Sequence, residues 1–527
     1  MDTIQRPVPA RRDAAMPPFP IAPPSLVEYG SRRLFVVAGV MLAALLQTVD
    51  ATIVNVALPT IQGNLGATVD EGTWVVTAYV IANVVVIPLT PWLQVRFGRK
   101  NYFLASIAGF TIASMLCGLA TSLPMLIAFR VVQGAFGGGL LATAQLILRD
   151  TFPPEQLGTS QSIFALGAIL GPSVGPTLGG IITDNISWQW IFDVNVAPGV
   201  LAFIILAMYL RDNAAPKRAP VDGIGVGLLI VAIGSLQYVL DQGQHDDWFS
   251  NETIAVCAVT TIAGFAGFVW WELRNPTPIV DLRLLRRIPV AAASLIGMTN
   301  AVNLFAVLLL LPQFTVDQLG FTSTDAGLLL GMRALPIALL TVPVGRLANL
   351  QRLDLRYLIG GGLTVAGISS LILAGRLTTG SDITSFILPL SVAGIGIGFT
   401  YSPLLVATLR AVHGADAPKA ASFVTLATQL SGSISSAVMV TIVDRREQWH
   451  QTMLVSEVTR ANPAVDTFVA NHPMQQLYQT IVSQAAALSY ADAFLICGVV
   501  AVLLCPLVIL LGRNRAQISH HHVVVAE

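Results

Sequence analysis

Charge is what this sequence has least of. Asp, Glu, Lys and Arg make up 11% of its 527 residues, hydrophobic residues reach 54%, and mean hydropathy is +0.71. A soluble domain carries about a quarter charged residues, so that class is excluded. The charges present sum to zero, which removes the basic surface that a nucleic-acid partner requires. Cysteine is scarce too. Cys117, Cys257, Cys497 and Cys505 all lie in apolar segments without C-x-x-C or metal-ligand spacing, and they read as small core residues. No G-x-x-x-x-G-K-[ST] phosphate loop occurs, and no polar stretch is long enough for a nucleotide-binding domain. Pumping by this chain therefore draws on an ion gradient, where one charge crossing 100 mV supplies about 2.3 kcal/mol. No cofactor is expected. Residues 1–33, rich in proline and arginine, lack a small-residue cleavage pattern and read as a disordered cytoplasmic tail.

What the chain does have is apolar runs. Fourteen stretches of roughly 20 residues, the length that crosses a bilayer, begin near Leu34, Trp74, Phe103, Leu123, Thr159, Trp190, Gly223, Thr253, Pro289, Ala326, Tyr357, Ile383, Ala420 and Ala491. The seventh and eighth stand between two groups of six. The expected fold is all-α and integral to the membrane. It divides into a bundle over 34–212, a linker with two extra spans over 213–287, a second bundle over 288–512, and a cytoplasmic tail over 513–527. With the N-terminus inside, 23 of the 29 Lys and Arg fall on the inner side. Only Arg376, Arg445, Arg446 and Arg460 fall outside, and Arg130 and Arg333 lie within spans. That bias predicts both termini cytoplasmic. Residues 445–488 form the longest external loop, with amphipathic stretches. The tail carries His520, His521 and His522, too short a tract to argue a metal site.

A weak repeat joins the halves. Pro91 to Lys100, with Arg96, Gly98 and Arg99, follows the second span. Gly345 to Asn349, then Arg352 and Arg356, follows the second span of the other six. Repeated six-helix halves are an architecture of alternating-access carriers.

Ionisable side chains inside spans cost about 2.5–3.5 kcal/mol each on insertion scales and default to function. Asp50, Arg130 and Arg333 stand out, each about 10–12 Å below the outer surface at 1.5 Å per residue. Asn303, with Asn300 one turn below, reaches the same layer. Arg130, Gln133, Gly134 and Gly137 share a helix face, and the glycines leave room for the guanidinium to cross. Asp50 is its expected partner, because an unpaired buried carboxylate stays protonated. A carboxylate that alternates between those states is what a proton carrier needs; the plainer alternative is a static pair that fixes packing. For Arg333, substrate contact and a structural tie to carbonyls weigh about equally. Gln47, Gln133, Asn300, Asn303, Arg333 and Gln429 are the candidate substrate-cavity residues.

From Gly167 to Gly180 the chain sets glycine at 167, 171, 175 and 179, with Pro172 and Pro176 between. Glycines four apart form a stripe that lets a second backbone come close. The prolines bend a helix, which lipid-embedded helices tolerate. The stretch reads as a bent seam. Gly171 to Gly175 also spells G-x-S-x-G, but no strand–helix context or His and acid partners accompany it, so the hydrolase reading fails.

Leu46-Gln-Thr-Val-Asp50-Ala-Thr52-Ile-Val-Asn55-Val-Ala-Leu58-Pro59 resembles the first-helix signature of the fourteen-helix drug:proton antiporters of the major facilitator superfamily, EmrB/QacA type. Arg130-Val-Val-Gln133-Gly134 resembles that family's fourth-helix motif, whose arginine is linked to proton coupling. Gly167 to Gly180 resembles its fifth-helix antiporter motif. Trp188 to Pro198 and Asp241 to Phe249 look similar to that branch as well. The resemblance implies the major facilitator fold and export of hydrophobic or cationic small molecules in exchange for protons. It implies a bacterial inner membrane, with a periplasmic adaptor and an outer-membrane channel as partners. It also implies that Arg96, Gly98, Arg99 and Lys100 belong to a cytoplasmic gate loop. That loop departs from the family pattern: Pro91 and Val95 stand where glycine and an acid are usual, which puts its charge relay in doubt. Asp193 and Arg333 also depart from the family motifs. Two other readings compete: an exporter of a specific metabolite or siderophore, and a non-transporting membrane sensor.

Overall fold

The computed structural model describes residues 26–212, 222–243, 248–276, 278–350, 353–412, 416–458 and 473–512. Residues 1–25 of the N-terminal tail, the C-terminal tail with His520–His522, most of the first linker segment and residues 459–472 of the external loop lie outside the described residues, whereas the last four residues assigned to the N-terminal tail, 30–33, are helical. Among the described residues, fourteen helices are long and apolar enough to cross a membrane. The first six spans are α1 (Gly30–Leu65), α2 (Val69–Phe97), α3 (Arg99–Gly118), the broken pair α4 (Leu123–Gly137) and α5 (Leu140–Thr151), α6 (Leu157–Asn185), and α7 (Trp190–Asp193) with α8 (Val196–Tyr209). The inserted pair is α9 (Gly223–Gln242) and α10 (Glu252–Arg274). The second six are α11 (Ile288–Gln313), α12 (Ser323–Asn349), α13 (Leu355–Ala374), α14 (Ile383–Arg410), α15 (Asp416–Glu457) and α16 (Met474–Leu504).

The second helix of each half starts in the same way. Thr68 and Glu71 form a reciprocal capping box on α2, and Thr322 and Asp325 form one on α12. Each satisfies two amide donors that the first turn leaves open. The repeat between the halves thus reaches both ends of these helices. The basic loop after α2 proves to be mostly helix. Pro91 and Val95 lie inside α2, and the chain turns only at Gly98, whose φ of +83° suits glycine. α15 likewise runs unbroken for 42 residues to Glu457. Within 445–488 the described residues are therefore extensions of two spans rather than separate short helices.

The glycine stripe faces α1. A Cβ on Gly171 would overlap the Thr48 side chain, one on Gly175 would overlap Thr52, and one on Gly179 would sit 2.6 Å from the Ile53 carbonyl oxygen. On another side α6 meets α12 of the second half. Gly158 packs on the Gly345 backbone, and Asn349 accepts from Gly158 N at 2.6 Å and donates to Thr159 Oγ1 at 2.9 Å. Ala165 and Ile169 join Ile337, Ile397 and Tyr401 in an apolar cluster shared by both halves. These contacts seal the two halves on the arginine- and lysine-rich face, called the basic face below. The inserted pair docks on α2: Thr77 donates to Asp241, Gln242 to Thr73, and Tyr238 lies 5.9 Å from Trp74.

Two glycines test this packing. Gly179→Ala forces a methyl against a backbone oxygen and is expected to cost about 1–3 kcal/mol. Gly331→Ala has nothing within 4 Å and is expected to be neutral or slightly stabilising. Thermal unfolding of the purified variants in detergent measures both.

Candidate functional site

Asp50 lies in the middle of α1 with no exposed surface, and Arg130 on α4 is 1% exposed. Arg130 Nη1 donates to Asp50 Oδ2 at 2.8 Å, closing an ion pair between α1 and α4. The other carboxylate oxygen accepts from Gln133 Nε2 at 2.8 Å and Asn195 Nδ2 at 3.0 Å. Asn195 also donates to Ser114 Oγ at 3.1 Å, and Ser114 donates to the Phe192 carbonyl at 2.8 Å. Residues from α1, α3, α4 and the α7–α8 junction thus converge on one carboxylate.

The guanidinium has partners of its own. Arg130 Nε donates to the Val75 carbonyl at 3.0 Å, and Nη1 donates to Gln133 Oε1 at 2.9 Å. The Tyr79 ring lies 4.0 Å from the guanidinium carbon, a cation–π contact strengthened by lack of water. Arg130 can therefore stay seated when Asp50 is neutral. Close helix approach makes this possible. Gly134 and Gly138 press against the Tyr79 and Asn83 carbonyls of α2, where any side chain would collide.

Gln133, expected at a substrate cavity, is instead a direct partner of Asp50. Gln47 donates to Asn83 Oδ1 at 3.4 Å and accepts from Leu141 N at 3.1 Å, and is equally sequestered in the first half. In the second half Arg333 Nη2 donates to Asn303 Oδ1 at 3.3 Å and to the Asn303 carbonyl at 3.4 Å, while Nη1 donates to the Leu304 carbonyl at 3.2 Å. Asn303 donates to Ser370 Oγ at 2.6 Å. Arg333 is 2% exposed and has no carboxylate partner among the described residues; its Nε and Asn300 Oδ1 are both buried without a bond. Gln429 is half-buried on α15. Of the six cavity candidates, Gln133 thus joins Asp50, Gln47 joins Asn83 and Leu141, and Asn303 joins Arg333, while Asn300 and Gln429 stand apart.

At the gate loop Arg99 pairs with Asp150 of α5 at 2.6 Å, and Lys100 donates to the Ala207 carbonyl at 2.9 Å. Val95 is exposed on α2, and Asp150 is the acid that Arg99 meets. Arg96 is exposed at the end of α2. Ser114 and Tyr79 carried no signal along the chain, since neutral polar residues in a span carry little insertion cost, and Asn195 stood out only as part of the Trp188 to Pro198 resemblance.

A buried ion pair inside a bundle of fourteen membrane-crossing helices, beneath a seam between two repeated halves, defines a membrane transporter rather than an enzyme. The family described as Major Facilitator Superfamily matches residues 40–439, and the chain belongs to that superfamily. It is similar to the multidrug export protein EmrB of Escherichia coli K12, 34% identical over 435 residues that cover 82% of this chain and 85% of that protein. The fatty acid resistance protein FarB of Neisseria gonorrhoeae is 32% identical over 494 residues, covering 91% and 96%. Among solved structures, the human organic anion transporter MFSD10 matches with a TM-score of 0.57 at 15% identity, over 90% of this chain and all of that one. A double-tryptophan mutant of XylE matches at 0.59 and 13%, covering 92% and 97%. These likenesses show the fold. Its helices and relatives make the chain a multi-pass protein of the bacterial inner membrane.

Removing one member of a buried ion pair strands the other charge and costs about 3–5 kcal/mol. Arg130→Leu is expected to lose stability on that scale, and adding Asp50→Asn should restore much of it. A double-mutant cycle on melting temperatures reads the coupling directly.

Proposed function

We propose that this protein is a multidrug efflux transporter that exports lipophilic, cationic small molecules in exchange for protons. The observation that carries the reading is the Asp50 carboxylate, fully buried, paired with Arg130 and held by Gln133 and Asn195. The name of the multidrug export protein EmrB supports export as the direction.

The chemistry follows from the charges. A proton arriving on Asp50 removes the negative partner of Arg130, which keeps Val75 O, Gln133 Oε1 and the Tyr79 ring. Gln133 and Asn195 then face a neutral acceptor, so their grip on α1 weakens. Thr48 and Thr52 bracket Asp50 on α1 and lie against Gly171 and Gly175 of α6. A shift of α1 is thereby handed to α6, and through Gly158, Thr159 and Asn349 to α12 of the second half. Gly167, Gly171, Pro172, Gly175, Pro176 and Gly179 form the bending seam. Arg96, Gly98, Arg99 and Lys100 form the gate on the basic face, which lies in the cytoplasm. A periplasmic adaptor leading to an outer-membrane channel belongs to the same reading and would meet the projecting ends of α15 and α16.

A second reading has its own observation. Arg333 is a buried cation without a carboxylate, and an anionic metabolite would complete it. Fatty acids are named for FarB.

Proteoliposomes with an imposed pH gradient distinguish these readings. Asp50→Asn leaves Arg130 its carbonyl, amide and ring partners, so it is expected to stay folded at reduced stability and to lose gradient-driven dye export, while retained export at the wild-type rate refutes proton coupling there. Arg333→Gln is expected to leave cationic dye export unchanged. Selective loss of organic-acid export in that variant would establish the second reading.

A further inference from the structure

The inserted pair α9–α10 carries charge that the exchange reading does not use. α10 ends on Trp271, Glu272, Leu273 and Arg274, and Glu272 is turned inward. It is 1% exposed, and neither carboxyl oxygen has a hydrogen-bond partner. The backbone N–H groups of Ile279 and Val280 are the donors turned toward it.

Asp222 stands beside it at the start of α9. It accepts from Gly225 N at 2.9 Å, from Trp271 Nε1 at 2.8 Å and from Asn275 Nδ2. A Cβ placed on Gly225 would lie 2.7 Å from both Asp222 Oδ2 and Glu272 Oε1, so twice that distance, 5.4 Å, is the most that separates these oxygens. Two carboxyls sharing one buried site do not both ionise readily, and one keeps a proton. The donors decide which. Asp222 receives three close hydrogen bonds, whereas only the Ile279 and Val280 amides are turned toward Glu272, which is where the proton rests.

The groups facing Glu272 are few. Asp281, in the connection to α11, pairs through Oδ2 with Lys419 Nζ of α15 at 3.1 Å, and its Oδ1 is unbonded. Arg283 directs its guanidinium to the Leu273 and Asn275 carbonyls, and Arg274 lies over the Trp270 ring at 4.4 Å. From α2 come Val84, Val85 and Ile87, with Val80, Ile81 and Leu89 packed beside them, in an apolar cluster with Phe268, Val280 and Leu426. That cluster joins the first half, the inserted pair and α15 of the second half.

We propose that Glu272 is a second proton-binding site, separate from Asp50, whose proton holds the end of α10 and its connection against α15 on the basic face. When the proton leaves, a carboxylate appears beside Asp222 and Asp281. Their repulsion displaces the connection that carries Val280 and the Asp281–Lys419 tether, and the seam between α2 and α15 loosens. The pH on that face then sets how readily the halves part there. The proton site stands whether or not the chain is an antiporter; only its effect on transport rests on the exchange reading.

Infrared difference spectroscopy of the full-length protein in lipid tests the site without transport. The carbonyl band of a protonated carboxylic acid is expected at neutral pH, lost in Glu272→Gln and retained in Asp50→Asn. A band unchanged by Glu272→Gln overturns the proposal. Asp222→Asn is the second variant: with its neighbour neutral, Glu272 should give up its proton at lower pH, and an unchanged titration overturns the shared site. In proteoliposomes, dye export is expected to change as the pH on the basic face rises in the wild type and to lose that dependence in Glu272→Gln. An identical profile in both overturns the regulatory role while leaving the infrared result to judge the site.

Discussion

Everything in the first half is arranged around a carboxylate that water does not reach. Asp50 alone would be untenable in hydrocarbon as an anion, so α4 brings it a guanidinium and one amide and the α7–α8 junction a second amide. This requirement explains features that look unrelated along the chain. Gly134 and Gly138 exist where α4 must lie on the backbone of α2, close enough for Arg130 to reach Val75 and Tyr79. Asn195 sits at a break between α7 and α8, where it reaches both Asp50 and Ser114. The pair gives little net stability against a well-packed apolar core. In the exchange reading, what it supplies is a state that one proton can change.

A changed charge matters only if something mechanical is attached to it. The stripe on α6 provides the attachment, because side-chain-free positions let Thr48 and Thr52 bear on its backbone. Lipid gives helices no hydrophobic reason to associate, so such close contacts are the association. The same helix carries its other end to Asn349 and Gly345 in the second half. One helix thus connects the charged centre with the seam between the bundles.

The sequence made some of this legible and hid the rest, for physical reasons. Span number followed from apolar length, and the Asp50–Arg130 pairing from the cost of leaving either alone. Helix ends were not legible: no glycine or proline interrupts the chain between Gly432 and Glu457, so α15 continues through charged residues that read as loop. Gln47 and Gln133 looked like cavity walls because a neutral amide in a span does not reveal what it bonds. Asn303 and Arg333 do meet, whereas Asn300 and Gln429 stand outside their bonds. Glu272 was invisible for the opposite reason, since an acid in the last turn of a span resembles ordinary interfacial charge.

The length of α15 has a geometric outcome. Its 42 residues extend about 63 Å, roughly twice the hydrocarbon thickness. The surplus stands above the membrane, braced on α16 by Arg446 and His450, both bonded to Asp492. A stiff mast fixed to one bundle magnifies that bundle's tilt: a few degrees at the base become several ångströms at the tip. Whatever touches the tip would feel each turnover as a stroke.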